Sequence, residues 1–219
     1  MKKLLVLVLI LFFLMSGSIF AQSNSIGVFG GINVSNIKIE NYSNNDSKSL
    51  TRFVCGIKYQ RVFRKPFVID AGIVYNTIGC KIEVNWRNEN NEDLGTYDTP
   101  WIHRYVSIPV TFGYRFGDTF SIIPKIGIQM SYLIDSRIKG TNNGVMYDNK
   151  IDLEYYNRFD FAGVVDVELC YDFNSNLGVF FDLSGKYSFT NSANFVNIYK
   201  DTTFYHYSLS TVLGVKYSF

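Results

Sequence analysis

The sequence is poor in the features that mark most soluble classes. It holds three Cys, four Pro, two Trp and two His in 219 residues. Charge is sparse too, with 18% Asp, Glu, Lys and Arg against roughly 25% in an ordinary soluble domain. Few prolines, near-balanced charge and a mean hydropathy of +0.04 exclude a low-complexity tail, a collagen-like repeat and a polybasic arm, so nucleic acid is not an expected partner. Cys55, Cys80 and Cys170 are odd in number and form no short-range pair, so they read as small strand residues rather than a disulfide framework. No stretch beyond residue 21 shows a helical period. What is abundant is aromatic surface: 17% of the chain, nearly all of it 16 Tyr and 19 Phe.

Residues 1–21 read MKKLLVLVLILFFLMSGSIFA, with two lysines, an apolar run from Leu4 to Met15, then Ser16, Gly17 and Ser18 before Ala21. This is the layout of a secretory signal peptide, with cleavage expected after Ala21. The apolar run is shorter than the roughly 20 residues a spanning helix needs. No Cys follows it, which removes a lipoprotein reading. Without this segment Lys plus Arg falls from 21 by two, Lys2 and Lys3, to 19 and equals the 19 Asp plus Glu. The sequence pI near 8.3 therefore says nothing about anionic partners. Residues 22–219 are read as one domain.

That domain alternates with period two. Tyr205, Tyr207, Leu209, Thr211, Leu213, Val215, Tyr217 and Phe219 share one phase, and His206, Ser208, Ser210, Gly214 and Lys216 the other. Residues 159–173 and 177–189 repeat the pattern. Eight strands follow, at about 25–40, 51–64, 67–86, 101–116, 119–138, 154–173, 177–190 and 203–219. Their connections alternate between short turns (64–66, 117–118, 174–176) and long polar loops (41–50, 87–100, 139–153, 191–202). An even number of strands with alternating loop length is the pattern of a membrane barrel with long loops outside and tight turns, and both ends, in the periplasm.

A soluble barrel would alternate as well, so the choice of solvent rests on other features. Charge on the apolar phase is confined to Arg61 and Arg104, both near strand ends, where an Arg costs far less than the about 2 to 4 kcal/mol it costs at a bilayer midplane. The polar phase carries matched charges, Asp70, Asp135, Asp160, Asp166, Glu168, Asp172 and Asp182 against Arg52, Lys58, Arg115, Lys125, Arg158, Lys186 and Lys216. Eight strands enclose a space that side chains fill, and charges inside it must pair. Tyr and Trp gather toward strand ends, including Tyr75, Trp86, Trp101, Tyr132, Tyr171 and Tyr217, which suits the headgroup region. The strands exceed the about 9 to 11 residues a crossing needs, so the barrel is expected to project on the loop side. This phase assignment predicts that Arg in place of Val167 impairs insertion more than Gln in place of Glu168.

The motifs carry a resemblance. Tyr105-Val106-Ser107-Ile108-Pro109-Val110 followed by Gly113-Tyr114-Arg115-Phe116 resembles the signature of the PorT-like outer-membrane β-barrel family. Pro124 to Leu133, Arg158-Phe159-Asp160-Phe161 and Lys186 to Asn191 resemble its later strands, so the likeness spans the whole domain. It implies an eight-stranded antiparallel up-and-down transmembrane β-barrel, all-β, in a Gram-negative outer membrane. It implies that Leu213, Val215, Tyr217 and Phe219 form the terminal signal read by the barrel assembly machinery. The family's name comes from a member that assists protein secretion and maturation. Its sixth strand usually alternates glycines, whereas Val165, Asp166, Val167 and Glu168 stand here, which implies a more charged and more tightly filled lumen.

Chemistry is thin. His103 near Asp98 and His206 near Asp201 each have the spacing of a His and Asp pair that activates water, yet no convergent Ser or second acid is visible. Asn88 to Asp93 lacks the spaced acids and central Gly of a calcium loop. Gly27-Val28-Phe29-Gly30-Gly31 lies in a strand with no following helix, so it is no phosphate loop. No catalytic, cofactor-binding or metal residue is assigned, and the expected partners are outer-membrane lipid, the assembly machinery and a protein at the outer loops. The expected role is non-enzymatic, structural or binding. A secretion accessory is the alternative, and a filled lumen argues against a narrow pore.

Overall fold

The structure is a computed structural model that describes residues 23–40, 47–63, 66–87, 93–142, 145–192 and 203–219. The expected leader, residues 1–21, lies outside the described residues. Nine strands follow in order: β1 (Ser23–Glu40), β2 (Ser47–Phe63), β3 (Phe67–Arg87), β4 (Asp93–Tyr114), β5 (Phe120–Asn142), β6 (Val145–Lys150), β7 (Phe159–Asp172), β8 (Leu177–Ser188) and β9 (Thr203–Ser218). Every pairing is antiparallel. Sequential neighbours pair, β5 skips to β7, and β1 pairs with β9 (Val28 opposite Val215), which closes a ring of eight. Among the described residues β6 stands outside that ring and pairs with β5 alone.

The turns at the short-loop end follow local chemistry. Gly117 has φ +93, a left-handed backbone that glycine takes without a Cβ clash, and it lets Phe116 pair back with Ile122. At 174–176 the Asn174 side chain accepts from the backbone N–H of Asn176 (2.9 Å) and Leu177 (2.8 Å), an Asx turn.

At the other end the strands run further than alternation alone marks. β3 and β4 stay paired up to Arg87 opposite Asp93, inside the stretch expected as the loop 87–100. Much of the expected loop 139–153 is a hairpin, with Lys139 opposite Asp148. The sixth ring strand begins at Phe159 rather than 154. Asp152 caps a 3-10 turn at Leu153–Tyr155 there, its carboxylate accepting from the Glu154 N–H at 3.0 Å, and this breaks the extended run.

Burial is inverted relative to a soluble protein. Ile126 is 66% and Val165 62% exposed, while Lys125 is 4% and Glu168 0% exposed. The same reversal runs round the ring, with Ile57, Ile73, Phe112, Leu183 and Leu213 facing out. Apolar exposure on this scale needs an apolar solvent. On β4 the exposed apolar positions run from 106 to 114, the length of one tilted bilayer crossing. Ring pairs mark its edges, Tyr132 with Phe159 (5.1 Å between centroids) at one and Tyr171 with Phe173 (5.4 Å) at the other. Trp101 does not belong to this girdle. It packs with Ile37, Cys80 and Phe204 above the lipid band, 6.2 Å from the Phe204 ring, because the barrel interior there is filled by apolar side chains. The side chain of Trp86 lies outside the described residues.

Candidate functional site: the closed lumen and the outer rim

The inward positions of β3, Val68, Asp70, Val74, Asn76, Ile78 and Cys80, each touch one layer of the lumen in turn and give its order from the short-turn end outward. At the mouth, Asp172 accepts from Arg115 (2.7 Å) and Lys216 (2.9 Å). The next layer is apolar: Val62, Val68, Ile123, Cys170 and Phe180, with Phe29 packed against it. The Phe180 ring lies over β9 and β1, where Gly214 and Gly27 leave it room; a Cβ at Gly214 would collide with its ring.

Above that sits the charged layer. Lys125 Nζ lies 2.7 Å from Asp70, 3.1 Å from Asp166, 2.5 Å from Glu168 and 3.6 Å from Asp182. Lys58 Nζ shares Glu168 (2.5 Å) and Asp182 (3.0 Å) and rests over the Phe180 ring, 3.5 Å from its centroid. Glu168 is saturated: one oxygen takes both ammonium groups, and the other takes Gln60 (3.0 Å) and the Cys170 thiol (2.7 Å). An isolated ion here would cost several kcal/mol, and the ring answers by giving each lysine more than one carboxylate. A cavity of about 80 Å³ lies beside this cluster, lined also by Gln129, Lys186 and Val212. Polar links continue outward, Ser107 to Ser131 (2.8 Å) and Ser210 to Asn33 (2.8 Å). Ser188 and Thr190 both donate to Asp160.

The two histidines meet in the next layer, but not with the acids their spacing suggests. His103 Nδ1 lies 3.0 Å from Ser136 Oγ, and its ring is 5.6 Å from that of His206, whose Nε2 faces the Tyr105 hydroxyl at 3.3 Å. Asp98 is instead exposed beside Lys81 (3.7 Å) and Lys48 (3.9 Å), and Asp201 lies outside the described residues. Ser136 was invisible as a partner because it comes from a neighbouring strand. It and His103 are fully buried, so a substrate does not reach the pair, which packs the lumen below the Trp101 cap.

Eight of the charges read as luminal converge inside: Lys58, Lys125, Lys216, Asp70, Asp160, Asp166, Glu168 and Asp182 are buried. Arg115, Asp172 and Lys186 are half-buried. Arg52 is half-buried and donates to the Thr51 carbonyl, whereas Arg158 is the exception, exposed and reaching the Tyr132 hydroxyl at the rim (3.2 Å). Asp135 is the instructive correction. Arg104 pairs with Asp135 but the next residue, Tyr105, pairs with Leu133, so Ile134 is an extra residue on β5. This bulge turns Ser136 inward onto His103 and Asp135 outward onto Arg104 (2.8 Å) and Arg137 (2.9 Å). Above it Asp148 on β6 meets Lys139 (2.8 Å), whose hydrogen bond, with Arg137 behind it, holds the carboxyl below its ordinary value. The three cysteines are free thiols, Cys80 and Cys170 inside the apolar layers and Cys55 half-buried. Of the stretch Asn88 to Asp93, which lacks the pattern of a calcium loop, residues 88–92 lie outside the described residues.

A ring of eight strands with its apolar face outside, its lumen closed and its hairpins rising past the lipid defines an integral membrane β-barrel. The chain belongs to the family described as outer membrane protein beta-barrel domain, whose model matches residues 20–194. It is similar in fold to a major outer membrane protein from Thermus thermophilus, at 11% identity over 91% of this chain and 100% of that one, with a TM-score of 0.55. Ail, the attachment invasion locus protein of Yersinia pestis, aligns at 14% identity over 91% and 100% of the two chains (TM-score 0.41). OprG from Pseudomonas aeruginosa aligns at 10% over 90% and 95% (TM-score 0.47). No curated protein matches the chain in sequence.

Proposed function

We propose that this is a non-enzymatic outer-membrane barrel whose extended outer hairpins bind a partner outside the cell. One observation carries the reading: β5 runs ten residues past Tyr132, the last ring of the lipid band, to Asn142, about 20 Å above the membrane at a barrel tilt. With β6 pairing only to β5 among the described residues, the hairpin offers backbone groups along β6 to an added strand. A sealed lumen has no use for such height, whereas recognition does. Export with removal of residues 1–21, and assembly through Phe219, belong to the same reading.

The test is proximity labelling in living cells from a tag at the exposed Glu154, which both chains keep, comparing the full chain with one lacking residues 139–150. A labelled protein that disappears with the hairpin, while the barrel still folds, is the expected result. Labelling that is unchanged by the deletion overturns the reading. The Tyr105 to Val110 motif supports a second reading, a PorT-like accessory in secretion or maturation, which predicts loss of export of particular cargo in a deletion strain.

A further inference from the structure

The outward turn of charge at the Ile134 bulge has a geometry of its own. Below it the outer face of β4 and β5 is apolar, with Val106, Ile108, Ile128 and Tyr132 exposed. Above it Arg104, Asp135, Arg137, Lys139, Asp148 and Lys150 lie on one outward face of β4, β5 and β6. The register fixes this: Arg104 stands opposite Asp135, Arg137 opposite Lys150 and Lys139 opposite Asp148, and directly opposed side chains share a face. Four cations and two carboxylates leave a formal charge of +2, and +1 when Asp152 is counted, which follows Lys150 on the same face beyond the Ile151 N–H to Ser136 carbonyl bond. Both carboxylates are already engaged, Asp135 by two arginines and Asp148 by Lys139 with Arg137 at 3.5 Å. Arg104, Arg137 and Lys139 side chains remain about one third or more exposed, and each arginine has more donors than those bonds use. The cations are therefore held in place by the acids rather than cancelled by them.

We propose that this face binds the phosphate groups of an outer-leaflet lipid headgroup. The lipid itself is the occupant because the face continues without a break from the apolar band: acyl chains against Val106, Ile108 and Tyr132 place a headgroup against Arg104 and Arg137. Guanidinium groups suit phosphate oxygens, which they bind through paired N–H donors. The rim next door offers a contrast. Arg158 on the β7 side has Asp152 and Glu154 beside it, so no excess positive charge accumulates there.

The test uses the full chain folded in detergent micelles and native mass spectrometry of retained lipid, with three probes. They are a diphosphorylated disaccharide lipid, the same lipid without its phosphates, and inorganic phosphate as competitor. The wild type is expected to retain the phosphorylated lipid at least tenfold more tightly than the dephosphorylated one. The double variant Arg137→Gln with Lys139→Gln is expected to lose that preference, and Arg158→Gln to keep it. Equal retention of the two lipids overturns the proposal. So does full competition by millimolar inorganic phosphate, which would mark a site for a free anion, and so does a preference that survives the double variant. Folding of each variant is read from the heat-dependent shift of its gel band. Should the double variant not fold, Lys139→Gln with Lys150→Gln, two surface changes, carries the same expectation at about half the loss. Failure here leaves the hairpin reading standing, since the deletion of 139–150 tests partner labelling and not lipid.

Discussion

Val167 and Glu168 are neighbours in sequence with opposite solvents, and the comparison between them shows what alternation conveys. Period two assigns Val167 to lipid and Glu168 to the lumen, as the structure has them. It does not show that Glu168 is the junction between Lys58 and Lys125, because that junction depends on β2, β5, β7 and β8 meeting across the ring. The ranking that alternation suggests, Val167→Arg worse than Glu168→Gln, therefore does not follow from the structure. Arg at a midplane costs about 2 to 4 kcal/mol, and removing one partner of a buried ion pair costs about 3 to 5 kcal/mol. The two are expected to lower folding yield comparably. A sharper contrast lies between two lysines. Lys125→Met strips four carboxylates of the cation they share, at about 3 to 5 kcal/mol, whereas Lys216→Met leaves Asp172, itself part-exposed, still paired with Arg115, so its loss is expected to be clearly smaller. Denaturant unfolding in vesicles measures both, and equal losses would mean that the central cluster is not the tie it resembles.

At the scale of elements, eight ring strands were legible because each carries its own alternation, and the short turns because Gly117 and Asn174 announce them. Two features were hidden. Beyond residue 138 the β5–β6 hairpin reads as a polar loop, since Lys139, Asp148 and Lys150 face water and the other face, Ile138, Gly140, Tyr147 and Asn149, makes no continuous apolar row. The Ile134 bulge is one inserted residue, and only the pairing of β4 with β5 exposes the change of phase beyond it. The hairpin makes a pH prediction. Asp148 is held below its ordinary 3.8 by Lys139 and Arg137. A carboxyl whose folded value is depressed adds stability above its unfolded value, and that contribution is lost as pH falls through the folded value. Acidification from pH 6 to well below the ordinary carboxylate range is thus expected to loosen residues 137–150 while the ring stays folded, seen as faster amide exchange there once intrinsic rates are corrected. Asp148→Asn should be loosened already at pH 6 and change little on acidification. Uniform exchange across hairpin and ring, at both pH values, would contradict this.

The molecule as a whole is a plug of layers inside a band of lipid-facing rings. The scarcity of charge on one phase of every ring strand, confined to Arg61 and Arg104 near strand ends and visible as a composition of 18% charged residues, was the signal for the outer solvent; the inner order of layers was not readable, because it depends on how far each strand is sheared against the next. That order decides transport. An ion entering at Asp172 meets Phe180, Ile123 and Val68, then a lattice in which Lys125 and Lys58 are bonded to the carboxylates around them, then the apolar seal of Ile37, Cys80, Phe204 and Trp101. Any one of these stops a hydrated ion, the apolar layers by leaving it unsolvated and the lattice by requiring buried ion pairs to break. The purified barrel in a planar bilayer is therefore expected to show no steady conductance. Phe180→Ala removes one seal and leaves two, so it should stay silent as well, although the emptied volume costs it about 3 to 5 kcal/mol of stability. A steady large conductance from the wild type would mean that the lattice opens in a membrane, and conduction by Phe180→Ala alone would show that the apolar layer, not the ion pairs, is the barrier.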